Sequence, residues 1–152
     1  ALVERVKHFF GFEFGFERFT ESSINALNFA RNRAVESQAS CVEPLHLLAG
    51  LLVVPNTSSA RLLRANGMKL DIETHEHSFE FRENPEFSSQ SKFVLELALQ
   101  VVRLRGGRSI EPEHLLWGLL QLSRIDQAIW GDLFQRYEID AETLSDQLAE
   151  AI

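Results

Sequence analysis

The residues best suited to chemistry in this chain come in two arrangements. One histidine stands in each copy of a repeated phrase, His46 in "VEPLHLLAGLL" (Val42–Leu52) and His114 in "IEPEHLLWGLL" (Ile110–Leu120). A second pair, His75 and His77, lies in "ETHEH" with Glu73 and Glu76. Imidazole can move protons or ligate a metal near neutral pH. A metal needs further ligands at suitable spacing, and none accompanies His46 or His114 in the sequence. Residues two apart on a helix face different ways, so "ETHEH" chelates poorly and reads as a solvated acidic face. The repeated histidines therefore read as structural, each imidazole hydrogen-bonding a neighbouring helix end or loop carbonyl. No Gly-x-Ser-x-Gly elbow, His-Glu-x-x-His pair or cysteine–histidine pairing occurs, and no Gly-x-x-x-x-Gly-Lys-Ser/Thr phosphate loop. We expect no catalytic residue, no ATP hydrolysis, no metal and no cofactor.

The repeated phrase belongs to a longer duplication. A shift of 68 residues lays Phe19–Leu52 on Phe87–Leu120 without a gap, and about a third of the positions are identical, too many for chance. Each copy reads as helices. Thr20 and Ser88 are N-cap types, each preceded by a phenylalanine that can staple the helix start. Apolar residues then follow at helical spacing: Ile24, Leu27, Ala30 and Ala34 in one copy, Val94, Leu95, Ala98, Val101 and Val102 in the other. The first helix should end near Gln38 and its counterpart at Gly106-Gly107. Pro44 and Pro112 suit the first turn of the next helix, where no backbone N–H is needed. Leu47, Leu48, Leu51 and Leu52, like Leu115, Leu116, Leu119 and Leu120, form its buried stripe. Gly50 and Gly118 fall mid-helix, at a cost of about 1 kcal/mol relative to alanine, which close helix approach would explain. Further helices are expected over Ser58–Ala65, from about Asp71, over Asp126–Arg136 and over Ala141–Ile152. The polar stretch Glu80–Phe87 links the halves.

The expected fold is all-α: two pseudo-twofold-related four-helix repeats, about eight helices in all, with an N-terminal extension. We place the extension at residues 1–15 and the domain at 16–152, with repeat one over about 19–79 and repeat two over about 87–152. Lys+Arg number 15 against 22 Asp+Glu, a net charge of −7, which disfavours nucleic-acid binding. No apolar run is long enough to span a membrane, and no secretory signal is visible at the start. The absence of an initiator Met implies a processed or excised chain. One cysteine, Cys41, excludes an internal disulfide and fits a reducing, cytoplasmic setting, or an organelle stroma if a transit peptide has been removed.

"FERFTESSINALNFARNRA", the two Glu-Pro-x-His-Leu-Leu-x-Gly-Leu-Leu phrases and "LLRANGMKLDIE" together resemble the doubled Clp repeat, the N-terminal domain of the Clp (Hsp100) ATPases of ClpC or ClpB type. The likeness covers roughly residues 16–152, both repeats in order. It implies an all-α pseudo-twofold domain that receives substrates or adaptors for an AAA+ unfoldase. Family openings usually begin almost directly at Phe-x-Arg-Phe-Thr, and this chain carries more residues before it. Some ClpC-type members bind phosphoarginine in one pocket per repeat, through the Thr after the first Phe and the Glu before the motif His. Carried over, repeat two keeps Ser88, a hydroxyl in place of Thr, and Glu113. Repeat one keeps Thr20 but has Leu45 where the Glu would be.

Trp117, which replaces Ala49 of repeat one, reads as core packing or as an aromatic anchor for a partner. The extension "HFFGFEFGFERF" alternates phenylalanine from Phe10 to Phe16, so Phe12 and Phe14 are expected to pack on the domain or on a partner. Two functions follow: a binding module docking substrates or adaptors, or an accessory subunit like the short ATPase-less Clp-repeat proteins that stabilise a Clp protease complex. A helical-repeat scaffold of TPR type, suggested by 68 being twice 34, is the weaker third, because the two halves of one unit do not resemble each other. The expected partners are proteins, namely substrates, adaptors and Clp components, and neither nucleic acid nor membrane.

Overall fold

A computed structural model describes residues 18–69 and 78–152. The helices are α1 (Glu21–Glu36), α2 (Pro44–Val53), α3 (Ser58–Ala65), α4 (Ser89–Leu104), α5 (Pro112–Ile125), α6 (Gln127–Leu133) and α7 (Ala141–Ala151), with a 3-10 turn over Gln135–Tyr137. The architecture is all-helical, as expected. The fourth helix of repeat one, expected from about Asp71, lies outside the described residues, as do His75, His77 and the extension with Phe12 and Phe14.

Helix boundaries follow their capping chemistry. Thr20 and Ser88 accept hydrogen bonds from the backbone of Ser23 and Ser91 at 3.3 and 3.1 Å. Pro44 and Pro112 open α2 and α5 with Glu43 and Glu111 as N-caps. Gln38 turns left-handed just past α1, and Gly67 and Gly106 do so after α3 and α4. One expectation needs correction. The helix read through Arg136 ends at Leu133 and tightens into the 3-10 turn. That turn lets Phe134 enter the core completely, 5.4 Å from the Trp130 ring.

Each repeat is built on an antiparallel hairpin, α1 with α2 and α4 with α5, and the apolar stripes of all four helices are buried in one shared core. The mid-helix glycines set how close the paired helices come. A Cβ on Gly50 would lie 2.2 Å from the Ala26 carbonyl oxygen, and one on Gly118 2.6 Å from that of Val94.

The repeats are joined crosswise. The backbone at Phe19 pairs with Ile110 of repeat two, and the backbone at Phe87 pairs with Val42 of repeat one. Thr20 donates to the Ile110 carbonyl (3.1 Å) and Ser88 to that of Val42 (3.0 Å). Ser23 and Ser91 add a hydroxyl each to the same two carbonyls, both at 2.7 Å. Each unit's opening is thus seated on the motif of the other.

The linker between repeats lies along α1. Asn28 donates to the Phe79 carbonyl, Asn32 to that of Ser78, and Arg31 to those of Arg82 and Pro85. Arg31 is buried, its guanidinium stacks 4.6 Å from the Phe87 ring centroid, and desolvation lowers its pKa to about 9 against the opposing charge of Glu86.

Candidate functional site

The two motif histidines are structural, but the expected bond to a neighbouring helix end or loop carbonyl is replaced by one within each histidine's own helix start. His46 accepts a hydrogen bond at Nδ1 from the Glu43 N–H, and His114 from the Glu111 N–H, both at 2.9 Å. Each satisfies a backbone donor at its helix start, the position Gln or Glu takes in a capping box. Acceptance at Nδ1 requires that nitrogen to be unprotonated. Burial lowers both pKa values, reinforced at His46 by Arg33 and opposed at His114 by Glu113.

The crosswise joint changes how the sequence-predicted ligands group. Ser88 is seated at Val42, the start of the first motif, and Thr20 at Ile110, the start of the second. Ser88 and Glu113, which share a repeat, belong to opposite ends of the exchange. Both hydroxyls are also engaged, donating to Ser23 and Ser91 at 3.1 Å while capping their helices. Glu113 is 6% exposed, whereas Leu45 at the equivalent position is 38% exposed. The carboxyl of Glu111 is raised above the usual carboxylate range, first by desolvation and then by the charge and hydrogen bond of Glu113. Trp117 packs half-buried against the core.

A cleft of about 370 Å³ opens at the start of α2, where Glu43 and Leu45 of repeat one face Asp126, Ile129, Asp132 and Leu133 of repeat two. Neither Asp126 nor Asp132 stood out in the sequence. They reach the cleft only through the packing of one repeat on the other, so no local signal could have grouped them. Asp126 caps α6, accepting from Ala128 and Ile129 at 3.1 and 3.3 Å. Among the described residues, no group of three or more His, Cys, Asp or Glu is gathered to hold a metal ion, and no helix is long and apolar enough to cross a membrane.

An all-helical pair of units exchanging their openings, with a cleft where the units meet, defines a duplicated helical domain of the Clp type. The chain belongs to the Clp repeat (R) N-terminal domain family, whose model matches residues 18–123. It is 35% identical over 115 residues to an uncharacterized protein of Mycobacterium bovis, covering 71% of this chain and 45% of that protein. It is 33% identical over 114 residues to the chloroplastic chaperone protein ClpC2 of Oryza sativa subsp. japonica, covering 70% of this chain and 12% of that one. The chain thus spans under half the length of the first curated relatives it matches. In fold it is similar to the N-terminal domain of the Hsp104 protein from Candida albicans (TM-score 0.67, 22% identity, 89% of this chain and 91% of that). The N-terminal domain of the caseinolytic protease associated chaperone ClpD from Arabidopsis thaliana gives 0.64, 22%, 90% and 95%.

Proposed function

We propose that this chain is a non-catalytic docking domain that receives protein substrates or adaptors for a Clp-type AAA+ unfoldase or protease. The observation that carries the reading is the cleft between repeats in a family of chaperone-associated N-terminal domains. An exposed Leu45 stands at its edge, where the motif's other copy holds a buried Glu113. Exposed apolar side chains in a concave site are the usual means of holding another chain. The test replaces the N-terminal domain of a Clp ATPase with this chain and follows degradation of an unfolded substrate. Degradation should rise above that of the ATPase lacking the domain, and Leu45→Ser should reduce the gain. Equal rates with and without the chain would count against docking.

A second reading, an accessory subunit that binds and stabilises a Clp protease complex, is favoured by one observation. A similar matched span makes up 45% of the mycobacterial relative but only 12% of the chloroplast chaperone, so the mycobacterial protein is far shorter. Here the chain, added in trans, should co-migrate with an assembled Clp complex in size-exclusion chromatography and slow its dissociation.

A further inference from the structure

We infer that the cleft between α2 and α6 takes a cationic peptide side chain, arginine or lysine, next to an apolar residue of the same segment. The inference rests on the docking reading and gives it a substrate class.

The cleft is lined by apolar and by acidic side chains. Leu45, Ile129 and Leu133 supply apolar surface, and Glu43, Asp126 and Asp132 supply carboxylates, while among the described residues no lysine or arginine lines it. Arginine and lysine carry a long apolar stem and a charged head, so they lie along apolar surface with the head at a polar rim. The volume of about 370 Å³ is near the lower end for ligand sites, which start at about 300 Å³, and suits one or two side chains rather than a folded partner. Among the described residues these carboxylates do not gather as metal ligands would, which favours an extended organic cation over an inorganic one. Asp126 is partly committed to capping α6 and Glu43 to capping α2, so exposed Asp132 carries most of the attraction.

Nearby cations do not reverse this field. His46 lines the cleft, but its Nδ1 accepts from the backbone and it is held toward the neutral form. Arg33 of α1 acts on His46 but does not line the opening. Anionic groups, phosphorylated arginine included, meet three carboxylates and are disfavoured. At the second motif, Glu113 is buried where Leu45 is exposed, so the apolar half of the site is missing there. One site per chain is expected.

Fluorescence anisotropy with the full chain tests this, using four labelled peptides that differ only at a central residue between leucines: arginine, alanine, glutamate or phosphoarginine. The arginine peptide should bind tightest with one-to-one stoichiometry, and the glutamate and phosphoarginine peptides about tenfold or more weaker. Asp132→Lys should weaken the arginine peptide about fivefold and spare the alanine peptide, whereas Leu45→Ser should weaken both. Both positions are exposed, so unchanged thermal melts should confirm folding. Equal affinity for arginine and alanine would overturn the charge selection while leaving docking intact. Indifference to Leu45→Ser would place binding elsewhere. A severalfold gain on removing residues 1–17 would make the chain's own Arg5, Lys7 and phenylalanines the occupant, and would equally overturn the proposal. Failure of all four peptides, with no gain in the domain-replacement assay, would sink the docking reading itself.

Discussion

Gly50 lies against the backbone of Ala26 so closely that a Cβ would fall 2.2 Å from the Ala26 carbonyl oxygen. The obstacle is main chain inside a helix, which cannot rotate away as a side chain would. In an exposed helix Gly→Ala gains about 1 kcal/mol. Gly50→Ala should instead destabilise the domain by about 3 kcal/mol, as overpacking does. Gly118→Ala, whose Cβ would stand 2.6 Å from the Val94 oxygen, should cost somewhat less. Urea unfolding of the two variants checks both sign and order.

The crosswise joint should respond symmetrically. Ser23→Ala and Ser91→Ala each remove a buried hydroxyl from a carbonyl of the other repeat. Those carbonyls keep the N–H bonds of Thr20 and Ser88, so no acceptor is stranded and each loss should be about 1 kcal/mol. Equal midpoint shifts in urea are expected. A large difference between the two would mean that the duplicated contacts are not energetically equivalent.

Stability should fall as the solution is acidified through the histidine range. His46 and His114 have folded-state pKa values below the ordinary imidazole value of 6.5, so the folded chain binds fewer protons than the unfolded one. Their contribution is complete above that value and is lost as pH falls through the folded values. Glu111 works in the opposite sense at lower pH, because its raised pKa means that protonation relieves a penalty. Glutamine at the same capping position can accept the backbone N–H at any pH. The double variant His46→Gln/His114→Gln should therefore lose less stability than the wild type between about pH 7.5 and 5.5, measured by urea unfolding.

Arg31 should prove the main tether of the linker. Removing its bonds to Arg82 and Pro85 in Arg31→Met should cost about 3 kcal/mol. Arg31→Lys should not rescue it, since an ammonium cannot reproduce the guanidinium fork or its stacking on Phe87. The linker should also open locally, so that tryptic cleavage after exposed Arg82 accelerates about tenfold before global unfolding.

Much of this architecture was legible in the sequence, because its causes are local. Pro44, Pro112, Thr20 and Ser88 mark helix starts whatever surrounds them, and the leucine stripes bury wherever the helices pair. The histidines read as structural from the sequence, but their partners did not: these are backbone donors only three residues away rather than a neighbouring carbonyl. Long-range features were harder. Ser23 and Ser91 do align in the duplication, and their identity was the one available sign of a shared buried role. The exchange of openings between repeats leaves no trace in spacing: by sequence Ser88 shares a repeat with Glu113, and in the fold it is seated at Val42. Asn28, Arg31 and Asn32 form a polar i, i+3, i+4 stripe on α1, a visible pattern whose partner, the linker, was not. The early end of α6 depends on burying Phe134, which is a tertiary effect.

The reciprocal seating of Phe19 on Ile110 and of Phe87 on Val42 also bears on ancestry. A solitary unit of this kind carries an opening and a seat that cannot meet each other, and it can satisfy both only with a second copy turned by a half rotation. That is the isologous geometry of a homodimer. Tandem duplication of such a unit turns the dimer contact into an internal one and frees its stability from protein concentration. It also frees the two copies to diverge, and the first motif's Leu45 beside the second's Glu113 is what a twofold partnership could not have held apart.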